Sequence, residues 1–193
     1  MFMFDVETLG TESNSVLLSL ACIYFDPKTK PTYQQLRESA FFVKFDVRDQ
    51  VETYNRKIYS DAVKWWEKQS DIAKRESLLP SAVDRSMADG ISLFHDWIKL
   101  MNDDKCIVWT RGSLDDIILH SVERQLKVDT LFAYNRFRDV RTAIDIFYNS
   151  TNGYCDVNHP EFMYERDVYK HDPVDDCAFD IMMLIYGEEN ASV

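Results

Sequence analysis

The sequence contains no long apolar run, no paired cysteine motif and no excess of positive charge. No apolar stretch in the 193 residues approaches the roughly 20 residues that a membrane-spanning helix needs. Asp5 and Glu7 interrupt the apolar N-terminus at once, which argues against a secretory signal peptide. These absences predict a cytoplasmic protein that does not associate with membranes.

Cysteine is scarce and unpaired in the sequence. None of the four cysteines forms a CxxC motif; they are Cys22, Cys106, Cys155 and Cys177. We therefore expect buried free thiols and no disulfide framework. Internal repeats, low-complexity tracts and linker-like segments are also missing, so we expect a single domain over residues 1–193.

Positive charge is in short supply. Lysine and arginine number 22 against 33 aspartates and glutamates, for a formal net charge of −11. This balance argues against a broad electrostatic grip on duplex DNA. A nucleic-acid enzyme remains possible, because clustered site carboxylates contribute to the excess and bound divalent cations would reverse the local field. Substrate binding is then expected to be local and short in footprint.

The order of predicted elements indicates an α/β protein. Residues 1–6, 15–26 and 37–46 are rich in β-branched and aromatic residues, which predicts a meander of three antiparallel strands, and residues 105–110 predict a buried strand. Helices are predicted for residues 60–70 with Ser60 as N-cap, 86–102, 113–127, 140–149 and about 173–186. Residues 151–170 are predicted to form a loop with short segments of secondary structure. The result is a mixed sheet flanked by helices.

The first acidic pair follows an apolar strand. In a strand, residues i and i+2 face the same side, so Asp5 and Glu7 point together while Phe4 and Val6 point the other way. Two such carboxylates repel each other unless a cation or a proton intervenes, and oxygen ligands suit Mg²⁺ or Mn²⁺. The DxE pattern alone is more often a solvated strand end. The Thr8-Leu9-Gly10 that follows favours a functional site.

A second acidic pair, Asp115 and Asp116, starts the helix over residues 113–127. At 100° per residue, Asp115 lies at the edge of the apolar stripe. Asp116 lies across the helix with His120 and Glu123, on the expected solvent side. Asp115 is therefore the candidate ligand, and Asp116 reads as an acid that interacts favourably with the helix dipole.

The last helix carries further acids at its start. Asp172 suits the N-cap, Pro173 suits the first helical position, and Asp175 falls at N3, so capping accounts for two of the acids. Asp176 lies off the apolar stripe, where it is either solvated or faces a cleft. His171 lies just outside the helix, and an isolated loop histidine is usually a surface residue. The His-x₄-Asp spacing favours a joint role for both residues.

Taken in order, these residues resemble a known set of motifs. Asp5-Val6-Glu7-Thr8, Asp115 and His171-x₄-Asp176 are similar to the three exonuclease motifs of the DEDDh superfamily. The nearer likeness is to the phage exodeoxyribonuclease A family and the related mycobacterial-type 3′→5′ exoribonucleases. Further similarity lies in EKQS after the paired tryptophans, RGSLD, RDVRT (138–142) and HDPVDDCAFDI, so it extends over nearly the whole chain.

The resemblance implies a ribonuclease-H-like mixed sheet, with three antiparallel strands followed by parallel strands. It implies a 3′→5′ exonuclease that releases nucleoside 5′-monophosphates and uses two Mg²⁺ or Mn²⁺ ions about 3.5–4 Å apart. Asp5 would bridge both ions, Glu7 and Asp176 would hold the ion that carries the water, and Asp115 would help place the other. His171 would act as general base.

Expectations for substrate contacts come from the same resemblance and from the aromatic pair. Thr8 and Leu9 would lie against the terminal nucleotide. Trp65 or Trp66 could stack a base, although adjacent helical residues point about 100° apart, so at most one should stack while the other packs in the core. The partner would be the 3′ end of single-stranded DNA or RNA, and a homodimer is plausible by family likeness.

The sequence is less informative about the function of the basic residues and of the other histidines. Arg138 and Arg141 could contact phosphate, but ordinary salt bridges are the favoured interpretation. His95, His120 and His159 read as structural or surface residues. Two alternative functions stay open at this point: a nuclease specific for short oligoribonucleotides, and a catalytically silent protein that only binds nucleic acid or another partner.

Overall fold

The computed structural model describes residues 1–101, 106–160, 162 and 170–188. Most of the segment 161–169, part of the expected loop, lies outside the described residues, as does the first residue of the expected strand 105–110. Within the described part of the chain, no helix is long and apolar enough to cross a membrane. The four cysteines are buried free thiols, which confirms that expectation.

Seven strands and eight α-helices are named here, in chain order. The strands are β1 (Phe2–Thr8), β2 (Leu17–Tyr24), β3 (Phe41–Lys44), β4 (Val108–Thr110), β5 (Phe137–Asp139), β6 (Asp156–Val157) and β7 (Gly187–Glu188). The helices are α1 (Tyr33–Glu38), α2 (Val47–Tyr54), α3 (Ser60–Trp66), α4 (Asp71–Ala73), α5 (Met87–Met101), α6 (Leu114–Leu126), α7 (Val140–Tyr148) and α8 (Pro173–Tyr186). A π-helical turn, Lys74–Leu78, continues α4.

The main sheet has five strands in the order β3-β2-β1-β4-β5. Strands β3, β2 and β1 are antiparallel, whereas β4 and β5 run parallel to β1. The mixed sheet of three antiparallel strands followed by parallel strands is therefore confirmed. Strand β1 is central and is covered on both faces, which explains its nearly continuous apolar sequence.

The alternation along β1 divides the core into two layers. Phe2, Phe4 and Val6 point to one face, where they pack with residues of α5 and α6. Met3 points to the other face and packs against the buried stripe of α8. Because side chains alternate along a strand, Asp5 and Glu7 follow Met3 onto the face that α8 covers. This arrangement sets the first acidic pair opposite the last helix.

Some predicted boundaries are wrong. The third strand was expected over residues 37–46, but β3 covers only Phe41–Lys44. The start of the expected strand belongs to α1, which a capping box at Thr32 begins. The N-cap of α3 is Tyr59 without a side-chain capping bond, and Ser60 is the first helical residue. Strand β5 was not predicted. It has only three residues, which pair with β4, and so short a segment shows no alternation of apolar and polar residues.

Candidate active site

The five candidate residues of the three motifs line one cleft of about 750 Å³ at the end of β1. They are Asp5, Glu7, Asp115, His171 and Asp176. Strand β4 runs parallel to β1, so its carboxyl end lies at the same edge of the sheet, and α6 starts four residues after that end. The sheet topology therefore brings motifs that are more than a hundred residues apart into one site.

The structure places Asp115, rather than Asp116, in the cleft. Asp115 is 5% exposed, and its Oδ1 accepts a hydrogen bond of 3.3 Å from the backbone N–H of Val6. This contact ties the first turn of α6 directly to β1. The expectation that Glu123 lies on the solvent side is wrong. Glu123 is fully buried, because the chain after α6 folds back and the N–H of Leu131 donates to its Oε1 at 3.0 Å.

His171 and Asp176 interact through the backbone. The N–H of His171 donates to Oδ2 of Asp176 at 2.9 Å, and His171 adopts a left-handed conformation with φ of 69°. Its Nδ1 lies 3.4 Å from Oε1 of Glu7. One potential ligand atom from each of Glu7, His171 and Asp176 falls within 4.8 Å of the others. These side chains could hold a metal ion or share a proton.

Two further acids at the start of α8, Asp172 and Asp175, serve the fold. Asp172 is the N-cap, and its Oδ1 accepts from the N–H of Val174 at 3.0 Å, as predicted. Asp175 is more than a helix-start acid. It is 1% exposed, lies 2.6 Å from Nε of Arg37 and accepts a hydrogen bond from the hydroxyl of Tyr33. Asp175 therefore fastens α8 to α1 through a charge pair in which the carboxylate is buried and the guanidinium is partly exposed.

Burial and mutual repulsion perturb the acids of the cleft. Burial, followed by the charge of Asp115, raises the pKa of Asp5 well above its ordinary value. Burial, followed by the charge of Asp176, does the same to the pKa of Glu7. Burial also raises the pKa of Asp115 to about 8 and the pKa of Asp176 to about 7. The four carboxylates therefore resist ionising together unless positive charge is supplied.

An aromatic wall borders the acids. Trp65 is 41% exposed and lines the cleft, with its ring centre 4.6 Å from that of His171. Trp66 is 1% exposed, and its Nε1 donates to the backbone carbonyl of Thr8 at 2.9 Å. Thr8 lines the cleft, whereas Leu9 packs with Trp66 in a small core cluster. Leu9 and Trp66 are thus buried in the core, and Trp65 is the tryptophan of the pair that lines the cleft, in agreement with the expectation that only one of the two faces it.

The cleft is also lined by residues that the sequence analysis did not single out. Arg111 donates to both carboxylate oxygens of Asp180, and its Nη1 donates to the carbonyl of Gly153 at 3.1 Å. Its guanidinium also lies 4.2 Å from the ring centre of Tyr154. Arg111, Tyr154 and Asp180 all line the cleft. Helical spacing could have identified Asp180 from the sequence, because it follows Asp176 by one helical turn and so lies on the same face of α8.

The five-stranded mixed sheet, with an acidic cleft at the end of its central strand, has the ribonuclease-H-like fold of the DEDDh nucleases. In a comparison of folds, the chain matches the nuclease domain of 3′hExo, a DEDDh family member solved with bound rAMP. The TM-score is 0.60 at 13% identity, over 95% of this chain and 88% of that one.

The chain belongs to the family described as the 3′-5′ exoribonuclease Rv2179c-like domain, whose model matches residues 1–185. It is also 31% identical to an exodeoxyribonuclease of Enterobacteria phage T4, over 96% of this chain and 88% of that protein. The protein is accordingly a nuclease of the 3′-5′ exonuclease type.

Proposed function

We propose that this protein removes nucleoside 5′-monophosphates from the 3′ end of single-stranded DNA or RNA, with two divalent metal ions and His171 as general base. One observation carries the proposal. Four carboxylates from three separate parts of the chain, two of them buried and two partly buried, meet in a cleft beside a histidine, and their pKa values are raised by burial and by one another. Such a cluster is costly for a fold unless it binds cations.

The residues fit divalent ions. Among the described residues, Oδ2 of Asp5 is buried and has no hydrogen-bond partner, as expected of an oxygen that awaits a ligand. The donors are all carboxylate oxygens, which suit Mg²⁺ or Mn²⁺. Asp5, Glu7, Asp115 and Asp176 would hold the two ions. When bound, the ions neutralise charge on the attacking and leaving oxygens of the scissile phosphate.

His171 is the candidate base because of its position. Its Nδ1 faces Oε1 of Glu7 at 3.4 Å, and its ring lies in the cleft that the carboxylates line, where an imidazole can accept the proton of the attacking water. The N–H···Oδ2 bond to Asp176 holds the backbone of His171 in its left-handed conformation. The base is therefore oriented by two of the proposed ligand residues.

The cleft supports a short single-stranded substrate. Trp65 offers a half-exposed indole on which a terminal base could stack, and Thr8 lies on the floor beside it. A net charge of −11 limits electrostatic contact with a long duplex. The relatives support both sugars, since one name specifies exoribonuclease and the other exodeoxyribonuclease. Short oligonucleotides are therefore the first substrates to test.

The direct test is digestion of matched DNA and RNA oligonucleotides, single-stranded and double-stranded, with millimolar Mn²⁺. We expect stepwise shortening of 5′-labelled single strands and release of 5′-monophosphates, identified by mass spectrometry. Protein with Asp5→Asn is the matched control and should release none. Products with 3′-phosphates, or cleavage that is unchanged in EDTA, would contradict the proposal.

A further inference from the structure

Arg141 differs from the other arginine of the cleft. It lines the cleft and is exposed, and among the described residues its guanidinium has no ion pair or hydrogen bond. Arg111, by contrast, is neutralised by Asp180. The salt bridges expected for Arg138 and Arg141 are not found within the described part of the chain. Arg141 is thus an uncompensated cation in the cleft of a strongly acidic protein.

Gly153 holds Arg141 in place. Gly153 has φ of 72°, and a Cβ added to it would lie 2.6 Å from Cβ of Arg141, so the arginine stem packs directly on this backbone. The carbonyl of Gly153 also accepts a hydrogen bond from Arg111. Contacts therefore run from Asp180 through Arg111 and Gly153 to Arg141. In this chain of contacts, Arg111 and Gly153 separate Arg141 from Asp180.

Arg138 provides the contrast. It lies on β5, three residues before Arg141, and its Nη1 donates to the backbone carbonyls of Asn135 and Phe137 at 2.8 and 2.7 Å. Arg138 is exposed and is not among the residues that line the cleft. Arg138 and Arg141 therefore differ in access to the cleft, because only Arg141 lines it.

We propose that Arg141 binds the phosphate one nucleotide upstream of the scissile phosphate, which makes it a specificity-determining residue for substrates longer than a single phosphodiester. This inference rests on the proposed function, because the scissile phosphate must be positioned by the metal ions that the carboxylates would hold. A guanidinium presents paired N–H donors that match two phosphate oxygens. Lys170, which also lines the cleft, adjoins His171 in sequence and is expected to act nearer the reacting end.

The test compares two dinucleotides that differ in one group. A dinucleotide with a 5′-hydroxyl has only the scissile phosphate, whereas its 5′-phosphorylated form also carries the upstream one. With wild-type protein and Mn²⁺, we expect kcat/KM to be about tenfold higher for the phosphorylated form. This is the effect expected from one additional charge-assisted contact, between the guanidinium and the upstream phosphate. In Arg141→Gln this ratio should fall to about one, because the two deletions remove the same interaction.

Matched variants make the outcome specific. Arg138→Gln should keep the wild-type ratio, and Lys170→Gln should affect both dinucleotides alike. An unchanged ratio in Arg141→Gln would overturn the inference, as would an equal loss on both dinucleotides. Binding of the same pair to His171→Asn protein in Mn²⁺, measured by calorimetry, gives the ratio of affinities with turnover slowed. A wild-type protein that hydrolyses neither dinucleotide would count against the proposed function, while the binding ratio would still decide the role of Arg141.

Discussion

The backbone N–H of His171 donates a 2.9 Å hydrogen bond to Oδ2 of Asp176, so the proposed base and a proposed metal ligand depend on each other for position. The left-handed conformation of His171 makes this dependence testable. Asparagine adopts that conformation readily, so it can replace the histidine without a change of backbone.

His171→Asn should reduce kcat by about 10²–10⁴-fold, because the general base is lost while the carboxylates stay in place. Its free energy of unfolding should change by no more than about 0.5 kcal/mol. The acid limb of the pH–rate profile should flatten, since histidine must be neutral to accept a proton. Normal turnover with lowered stability would show that His171 is a packing residue.

Asp115→Asn and Asp116→Asn form a matched pair. Asp115 is buried in the cleft and bonded to the N–H of Val6, whereas Asp116 does not line the cleft. We expect Asp115→Asn to abolish hydrolysis and Asp116→Asn to retain most of it. Rates on a labelled oligonucleotide in Mn²⁺ test the pair. Loss of activity in Asp116→Asn alone would reverse the assignment.

Metal-free protein should be less stable at pH 8 than at pH 5. Carboxylates have an ordinary pKa near 4, whereas burial raises the pKa of Asp115 to about 8 and that of Asp176 to about 7. Between these values the folded state binds more protons than the unfolded state, so stability falls as pH rises. Tm in EDTA at both pH values measures the effect, and a higher Tm at pH 8 would contradict it.

Mn²⁺ should reverse this trend. Ions bind the assembled carboxylates in their ionised form, so the rise in Tm caused by millimolar Mn²⁺ should be larger at pH 8 than at pH 5. Asp5→Asn should reduce this rise, and it should also raise Tm in EDTA at pH 8, because one repelling charge is removed. An absent Mn²⁺ shift in the wild-type protein would argue strongly against the two-metal proposal.

Trp65→Ala and Trp66→Ala should separate binding from folding. Trp65 is half-exposed at the cleft, so its removal should weaken oligonucleotide binding by about 1–3 kcal/mol with little loss of stability. Trp66 is buried and bonded to the Thr8 carbonyl, so its removal should cost about 3–5 kcal/mol of stability. Fluorescence anisotropy and urea unfolding distinguish them. Equal stability losses would place Trp65 in the core as well.

Asp175→Ala should be more destabilising than Asp172→Ala. Removing Asp175 leaves Arg37 without its carboxylate at a buried contact, which costs about 3–5 kcal/mol for a fully buried pair and less here, because Arg37 is 37% exposed. Removing Asp172 deletes one N-cap bond, for about 0.5–2 kcal/mol. Urea unfolding of both variants measures the order. The reverse order would return Asp175 to a simple helix-start role.

The sequence by itself determined the features that depend on local geometry. The two-residue period of β1 put Asp5 and Glu7 on one face, and the 100° helical rotation placed Asp115 in the cleft and one tryptophan in the core. The cap at Asp172 and the bounds of α8 were also predictable, because capping acts within one turn.

Only the tertiary structure decided the contacts between distant segments. Glu123 and Asp175 look like solvated helix acids in sequence, yet the Leu131 region and α1 bury them. Leu9 packs in the core, and Gly153 contacts both arginines that line the cleft, Arg111 and Arg141. Such contacts leave no periodic pattern in the sequence. They depend on which surfaces the fold brings together, whereas a sequence period reports only the geometry within one helix or strand.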